Sequence, residues 1–187
     1  MDLPDRALGE AASRPPEEDW GRWAVLQKVE AAGLLTVNAG PQWSLMRDLR
    51  TSTLISEMVG RGELERVVVE GSPRKYLAPP GFRDQQWPDD DGRMRILGPL
   101  DPLIWDRKLV QAAWDFEYIW EVYKPKAKRR WGWYVCPILH EGRLVARFEG
   151  RRDDGKLRVD NLWVEDGVAF DQRAWAATVE RHSAALG

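Results

Sequence analysis

The sequence predicts an α+β protein in two parts. A helical segment ends in a hairpin, and a small antiparallel β-barrel, or curled sheet, follows with a C-terminal helix. Three observations predict it. Apolar residues recur at helical spacing as far as Gly62, and a Gly71-Ser72-Pro73 turn then separates two short β-like runs. A proline-rich, acidic stretch, PPGFRDQQWPDDDGR, interrupts the pattern from Pro79 to Arg93. Beyond it, strand-like runs are joined by His140-Glu141-Gly142 and Asp153-Asp154-Gly155, both hairpin-like. These breaks divide the chain into an acidic tail or linker at 1–18, a first domain at 19–80, a linker at 81–94 and a second domain at 95–187.

Taken in order, residues 1–18 carry Pro15 and Pro16 and lack periodicity. Asp19 caps a helix to about Ala32, with Arg22, Val25, Leu26, Val29 and Ala32 at helical spacing and Gly33 as its stop. Leu34 to Val37 forms a short strand, and Trp43 to Leu49 a second short helix. Thr51 or Ser52 caps a third helix, with Leu54, Ile55, Met58 and Val59 inward and Gly60 and Gly62 at its end. Leu64 to Glu70 and Lys75 to Ala78 flank the turn as a β-hairpin. Three helices and a hairpin are the plan of a winged helix-turn-helix.

In the second domain Arg95 to Leu97 is a short strand, and Asp106 caps a helix to about Asp115 with Leu109, Val110, Ala113 and Trp114 inward. Phe116, Tyr118, Trp120 and Val122 alternate with Glu117 and Glu121, as in a half-buried strand. Trp131 to Leu139, Arg143 to Glu149 and Leu157 to Glu165 add three strands. Asp171 caps the last helix, with Trp175 and Val179 packing back. The chain has no internal repeat.

The 187 residues are 43% hydrophobic and 31% charged, with a formal charge of −2, so any nucleic-acid surface is local. Charge is segregated. From Lys124 to Arg152 nine Lys and Arg face Glu141 and Glu149, a net of +7, whereas Met1 to Trp20 carries −4. A single cysteine, Cys136, excludes an intrachain disulfide and a Cys-based metal site, and His140 and His182 are too few for a His-rich metal cage. Neither histidine has a visible partner for nucleophilic work, and Cys136 reads as a buried strand residue. No apolar run approaches the ~20 residues of a membrane span, and a reduced, cytoplasmic setting fits best.

Lys124, Lys126, Lys128, Arg129 and Arg130 crowd one loop, KPKAKRR, with Tyr123 before it and Trp131 after it. Clustered cations displace condensed counterions from DNA, and a flanking aromatic ring can stack on a base. Arg143, Arg147, Arg151 and Arg152 extend the patch, unless Arg143 and Arg147, which share a strand face with Val145, pair with carboxylates instead. Arg50, Arg61 and Arg74 are the first domain's candidate DNA contacts, although its net charge from Asp19 to Pro80 is only +1. Asp101 and Asp106 are the carboxylate pair to consider for general acid or base work. A turn role for Asp101 and a helix cap for Asp106 are favoured over catalysis. Glu121 is expected to pair with a nearby cation.

Leu97, Pro99, Asp101, Pro102, Leu103, Trp105, Asp106 and Arg107 carry a long pattern, L-x-P-x-D-P-L-x-W-D-R. Phe116, Tyr118, Glu121, Tyr123, Pro125, Lys128 and Arg129 continue it, followed by Gly132, Tyr134, Val135 and Pro137. In these residues the chain resembles the YcaQ-like winged-helix DNA glycosylases that act on crosslinked and N7-alkylated purines. The resemblance covers about Trp20 to the C-terminus and implies winged-helix units with a β-barrel, double-stranded DNA as partner, no cofactor, and a bacterial DNA-repair setting. Its catalytic signature, Gln-x-Gln or Gln-x-Asp, is absent. Gln27, Gln42, Gln85, Gln86, Gln111 and Gln172 are followed two places on by Val29, Ser44, Trp87, Pro88, Ala113 and Ala174. Leu100 replaces a usual Phe, Trp131 and Trp133 replace Tyr, and Glu149 and Arg151 stand where Asp and Lys are common.

The expectation is therefore a DNA-binding relative corresponding to the C-terminal half of such an enzyme, without independent base excision and needing an N-terminal partner for chemistry. The alternatives are a compact glycosylase using Asp101 or Asp106, and an interaction module that has lost DNA contact.

Overall fold

The computed structural model describes residues 19–38, 40–86 and 89–186. The acidic tail expected at 1–18 lies outside the described residues, as do positions 87 and 88 of the expected linker. The chain forms two compact units, one within residues 1–68 and 74–85, the other of 69–73 and 86–187. Among the described residues the content is mixed α and β, with both sheets antiparallel.

The first unit opens with α1 (Trp20–Ala32), which buries Ala24, Val25 and Val29 and ends at Gly33, whose φ of 67° favours a residue without a Cβ. Arg22 turns to the Glu63 carboxylate instead of the core. The strand expected at Leu34 to Val37 is reduced to one bridge, Leu35 to Leu77, because the chain turns away at Val37 and Asn38. A 3₁₀ turn (Gly40–Trp43) delivers Trp43 into the core, where its indole N–H donates to the Thr36 carbonyl at 3.0 Å.

The short helix expected at 43–49 is α2 (Arg47–Thr51), shifted toward the C-terminus, and α3 (Leu54–Gly60) buries Ile55 and Met58. Neither expected cap acts as one. The Thr51 and Ser52 hydroxyls donate to the carbonyls of Asp48 and Leu49, closing α2, and Thr53 takes the cap position of α3. Strands β1 (Glu65–Val68) and β2 (Lys75–Ala78) pair antiparallel from Glu65↔Ala78 to Val68↔Lys75. Val25, Val29, Leu35, Trp43, Ile55, Met58, Leu64 and Leu77 make this unit's core.

The second unit is built on a sheet of four strands, β3 (Arg95–Ile96), β4 (Val135–His140), β5 (Arg143–Asp153) and β6 (Lys156–Val164), paired in that order. The sheet is open: β3 and β6 are its edges, and no closed barrel forms among the described residues. The two-residue β3 offers too short an edge for closure. The segment expected to supply another strand, Phe116 to Val122, stays off the ladder. The expected alternation holds as far as Ile119, with Phe116 and Tyr118 buried and Glu117 and Ile119 exposed, but Glu121, expected to face outward, is buried while Trp120 and Val122 are half-buried. Side chains tether it instead. The Tyr118 hydroxyl donates to the Val135 carbonyl at 2.7 Å, and Arg147 donates to the Glu117 carbonyl at 2.8 Å.

Central β5 is covered on both faces, so Leu144 to Phe148 are buried without a break. One cluster packs Phe148, Ile138 and Cys136 with Trp175 of α5 (Gln172–Leu186), the Phe148 and Trp175 rings meeting at 5.3 Å. The other packs Leu144 with Leu97, Ile104, Phe116, Tyr118 and Val110 of α4 (Arg107–Trp114). Register shifts interrupt β4–β5 at Ile138/Leu139 and β5–β6 at Glu149/Gly150. At Gly150 a Cβ would stand 2.6 Å from the Arg158 carbonyl oxygen, so this bulge requires glycine.

Candidate nucleic-acid interface

The basic loop is shaped by one buried carboxylate. Glu121, 2% exposed, accepts from the backbone N–H of Arg130 at 3.1 Å and of Trp131 at 2.8 Å, and from Lys124 Nζ at 2.8 Å. It therefore joins the loop's first cation to the backbone at its far end, with a 3₁₀ turn (Lys126–Lys128) between them. Burial opposes ionisation of Glu121, but the donors from Lys124, Trp131 and Arg130 outweigh it and hold its pKa at about 2. The pairing expected for Glu121 is thus present, with Lys124 as the cation.

Five candidate cations sort into two groups. Lys124 is held by Glu121, Arg129 Nε donates to the Lys124 carbonyl at 2.8 Å, and Arg130 pairs with Glu117 at 3.1 Å. Lys126 and Lys128 are exposed and have no partner among the described residues. Two cations are free for an anion and three hold the loop together.

A second carboxylate sets the exit from the loop. Glu149 Oε1 accepts from the N–H groups of Trp133 at 2.6 Å and Tyr134 at 3.3 Å. A Cβ at Gly132 would stand 2.5 Å from this carboxylate, so glycine leaves room for it. These bonds replace ladder bonds, which is why β4 starts at Val135 and not at Trp131.

Trp131, expected to stack on a base, is half-buried and packed against its neighbours. Its ring meets Trp163 at 5.4 Å and lies under the guanidinium groups of Arg130 at 4.6 Å and Arg147 at 4.4 Å. Arg147 is 2% exposed, packed between Trp131 and Phe116, and its Nε and a terminal nitrogen donate to Glu165 Oε1 at 3.0 and 2.8 Å. The alternative that Arg147 pairs with a carboxylate is the one realised, while Arg143 stays exposed. Beside the loop, the rings that face solvent are Tyr123, Trp133 and Tyr134. Sequence reasoning missed the last two as surface groups. The adjacent bulky pair Trp133-Tyr134, which breaks the alternation a strand should show, was the available signal.

The other candidates are dispersed. Asp101 accepts from the Leu103 N–H at 2.9 Å, and Asp106, buried, accepts from Lys108 and Leu109 N–H at 3.1 and 3.2 Å. Both terminate backbone donors of a helical turn. Arg107, next in the pattern, lies over the Tyr118 ring at 4.2 Å and donates to the Pro99 carbonyl, and burial lowers its pKa. Arg50 ends α2 and Arg61 follows α3, so the two are not on one helix, and Arg74 precedes β2. His140 is buried at the end of β4 within 3.2 Å of the Gly92 carbonyl, and burial raises the Cys136 thiol to about 11. No three metal-ligating side chains cluster among the described residues.

Sheet, pinned loop and free lysines define an α+β protein with a local cationic surface edged by aromatic rings. A family model described as DNA glycosylase AlkZ-like matches residues 1–185, and the chain belongs to that family. Membership connects it with DNA repair and makes DNA its partner. The match begins at residue 1, so it takes in the residues before Trp20 that the sequence resemblance left out. No solved structure matches the chain significantly. No described helix is long and apolar enough to cross a membrane.

Proposed function

We propose that the chain binds double-stranded DNA through the Lys124–Arg130 loop, as a relative of crosslink- and alkylpurine-repair glycosylases that does not excise a base on its own. One observation carries this reading: Lys126 and Lys128 are exposed and unpaired among the described residues, on a loop whose ends are pinned by Glu121. A preordered pair of cations loses little freedom on meeting phosphate and gains counterion release. Lack of a Gln-x-Gln or Gln-x-Asp motif in the chain supports assigning the excision step to a partner or segment that carries one. Alkylated or crosslinked purines are the lesions this reading assigns, in a cytoplasmic, bacterial setting. Residues 20–78, three helices and a hairpin, are read as a winged helix that adds phosphate contacts through Arg50, Arg61 and Arg74. The backbone bonds of Asp101 and Asp106 support capping over catalysis.

The test is fluorescence anisotropy with labelled duplex DNA across a salt series, comparing the wild type with Lys126→Glu/Lys128→Glu. Arg129 is left intact because its side chain closes the loop. The double variant is expected to bind at least tenfold more weakly, with the salt slope reduced by about 2. Absence of wild-type binding at low salt would make the loop a solvated turn and leave the interaction-module reading in its place.

A further inference from the structure

Three large rings stand in solvent beside the free lysines: Tyr123 at 89% exposure, Trp133 at 56% and Tyr134 at 45%. Single exposed aromatics are ordinary, but a contiguous group marks an interaction surface. These rings are contiguous through Trp120, which meets Tyr123 at 5.9 Å and Tyr134 at 6.2 Å, while Trp133 meets Tyr134 at 6.5 Å. Trp120 meets Tyr123 and Tyr134 at interplanar angles of 64° and 86°, and Trp133 meets Tyr134 at 56°, so none of these meeting pairs stacks face to face. Among the described residues no guanidinium lies over Tyr123, Trp133 or Tyr134, whereas Trp131 carries two. The same loop therefore uses one aromatic as filling and leaves three uncovered.

We propose that Tyr123, Trp133 and Tyr134 form a stacking platform for unpaired bases, so that the protein prefers DNA with a single-stranded segment over intact duplex. This rests on the DNA-contact reading and narrows its ligand. Spacing argues for it. Bases along one strand of a duplex rise by about 3.4 Å, and the Trp133 and Tyr134 rings, 6.5 Å apart and tilted by 56°, cannot each lie on successive members of such a stack. They suit bases already drawn apart. Chemistry argues for it too. A π-face stacks on any base, and Lys126 and Lys128 on the same loop supply cations for the backbone, the combination that holds single strands without reading sequence. The ends of the platform are held in place. Glu121 fixes the backbone between Tyr123 and Trp133, and Glu149 fixes the N–H groups of Trp133 and Tyr134.

The experiment measures anisotropy of the full chain with three labelled DNAs of one length: a single strand, its duplex, and the duplex with a central unpaired bulge. Wild type is compared with Tyr123→Leu, Trp133→Leu and Lys126→Glu/Lys128→Glu. Leucine keeps apolar bulk at these exposed positions, and an unchanged melting temperature verifies folding. Expected are tighter binding of single strand and bulge than of duplex, and a loss of about tenfold on single strand for each ring variant with less than twofold on duplex. The lysine variant is expected to lose affinity for all three. If the lysine variant behaves so while the ring variants bind single strand normally, or if duplex is preferred, the platform is wrong and the basic-loop reading stands. If no DNA binds, both fall.

Discussion

Replacing Glu121 with glutamine removes the charge that holds the basic loop closed. The side chain is 2% exposed and accepts three hydrogen bonds, from Lys124 Nζ, Arg130 N–H and Trp131 N–H. A glutamine presents one acceptor oxygen and turns an NH₂ donor toward the remaining donors, so at least one loses its partner. The magnitude follows from the carboxyl's pKa, which lies at about 2 in the folded protein against an ordinary 4.5. That difference corresponds to roughly 3 kcal/mol, and the one acceptor that glutamine keeps leaves a loss of about 2 kcal/mol. For a unit of this size the melting temperature should fall by about 8 °C. Acid supplies a second signature. Because folding depresses this pKa, its stabilisation is present above pH ~4.5 and is lost as pH falls through about 2. Calorimetry from pH 7 to pH 2 should show the wild type losing that increment while Glu121→Gln lacks it throughout. Equal melting temperatures at neutral pH, with parallel acid profiles, would refute the idea that this carboxylate pins the loop.

Arg147→Ala should cost about 3 kcal/mol in urea unfolding, since it empties the space between Phe116 and Trp131 and strips Glu165 and the Glu117 carbonyl of donors. Arg147→Met, which refills the space, should recover part of this, and an unchanged urea midpoint for Arg147→Ala would contradict the packing argument. Gly150→Ala should lower stability by about 2 kcal/mol, because its Cβ meets the Arg158 carbonyl of the paired strand. Gly132→Ala should cost less, since the Glu149 side chain it meets can swing away; thermal melts giving the reverse order would count against this account. Asp106→Ala should cost about 1 kcal/mol by uncapping α4, and Asp106→Asn almost nothing, since asparagine caps as well as aspartate. Base release found in the wild type and abolished by Asp106→Asn, with the melting temperature intact, would overturn the capping role.

Sequence alone determined what local periodicity and backbone chemistry decide. Helix α1 with its stop at Gly33, the hairpin about Gly71-Ser72-Pro73, the caps at Asp106 and Asp171, the antiparallel order of β4, β5 and β6 and the C-terminal helix were all legible there. So was the family, from a motif long enough to be specific. Only the tertiary structure decided how alternating or charged residues are used. Phe116 to Val122 has a strand's alternation but no ladder, because whether a strand pairs depends on which edge is near and not on its own pattern. For the same reason the sheet stays open. The loop's five cations look alike in sequence, yet Glu121, Glu117 and a backbone carbonyl claim three of them. Of its aromatics, Trp131 is drawn under Arg147 while Trp133 and Tyr134 are left outside. Lys124 and Arg129 are claimed from within the loop's own neighbourhood, but the partners of Arg130, Trp131 and Trp133 come from 13 to 16 residues away, and such pairings are set by the packing of the folded unit.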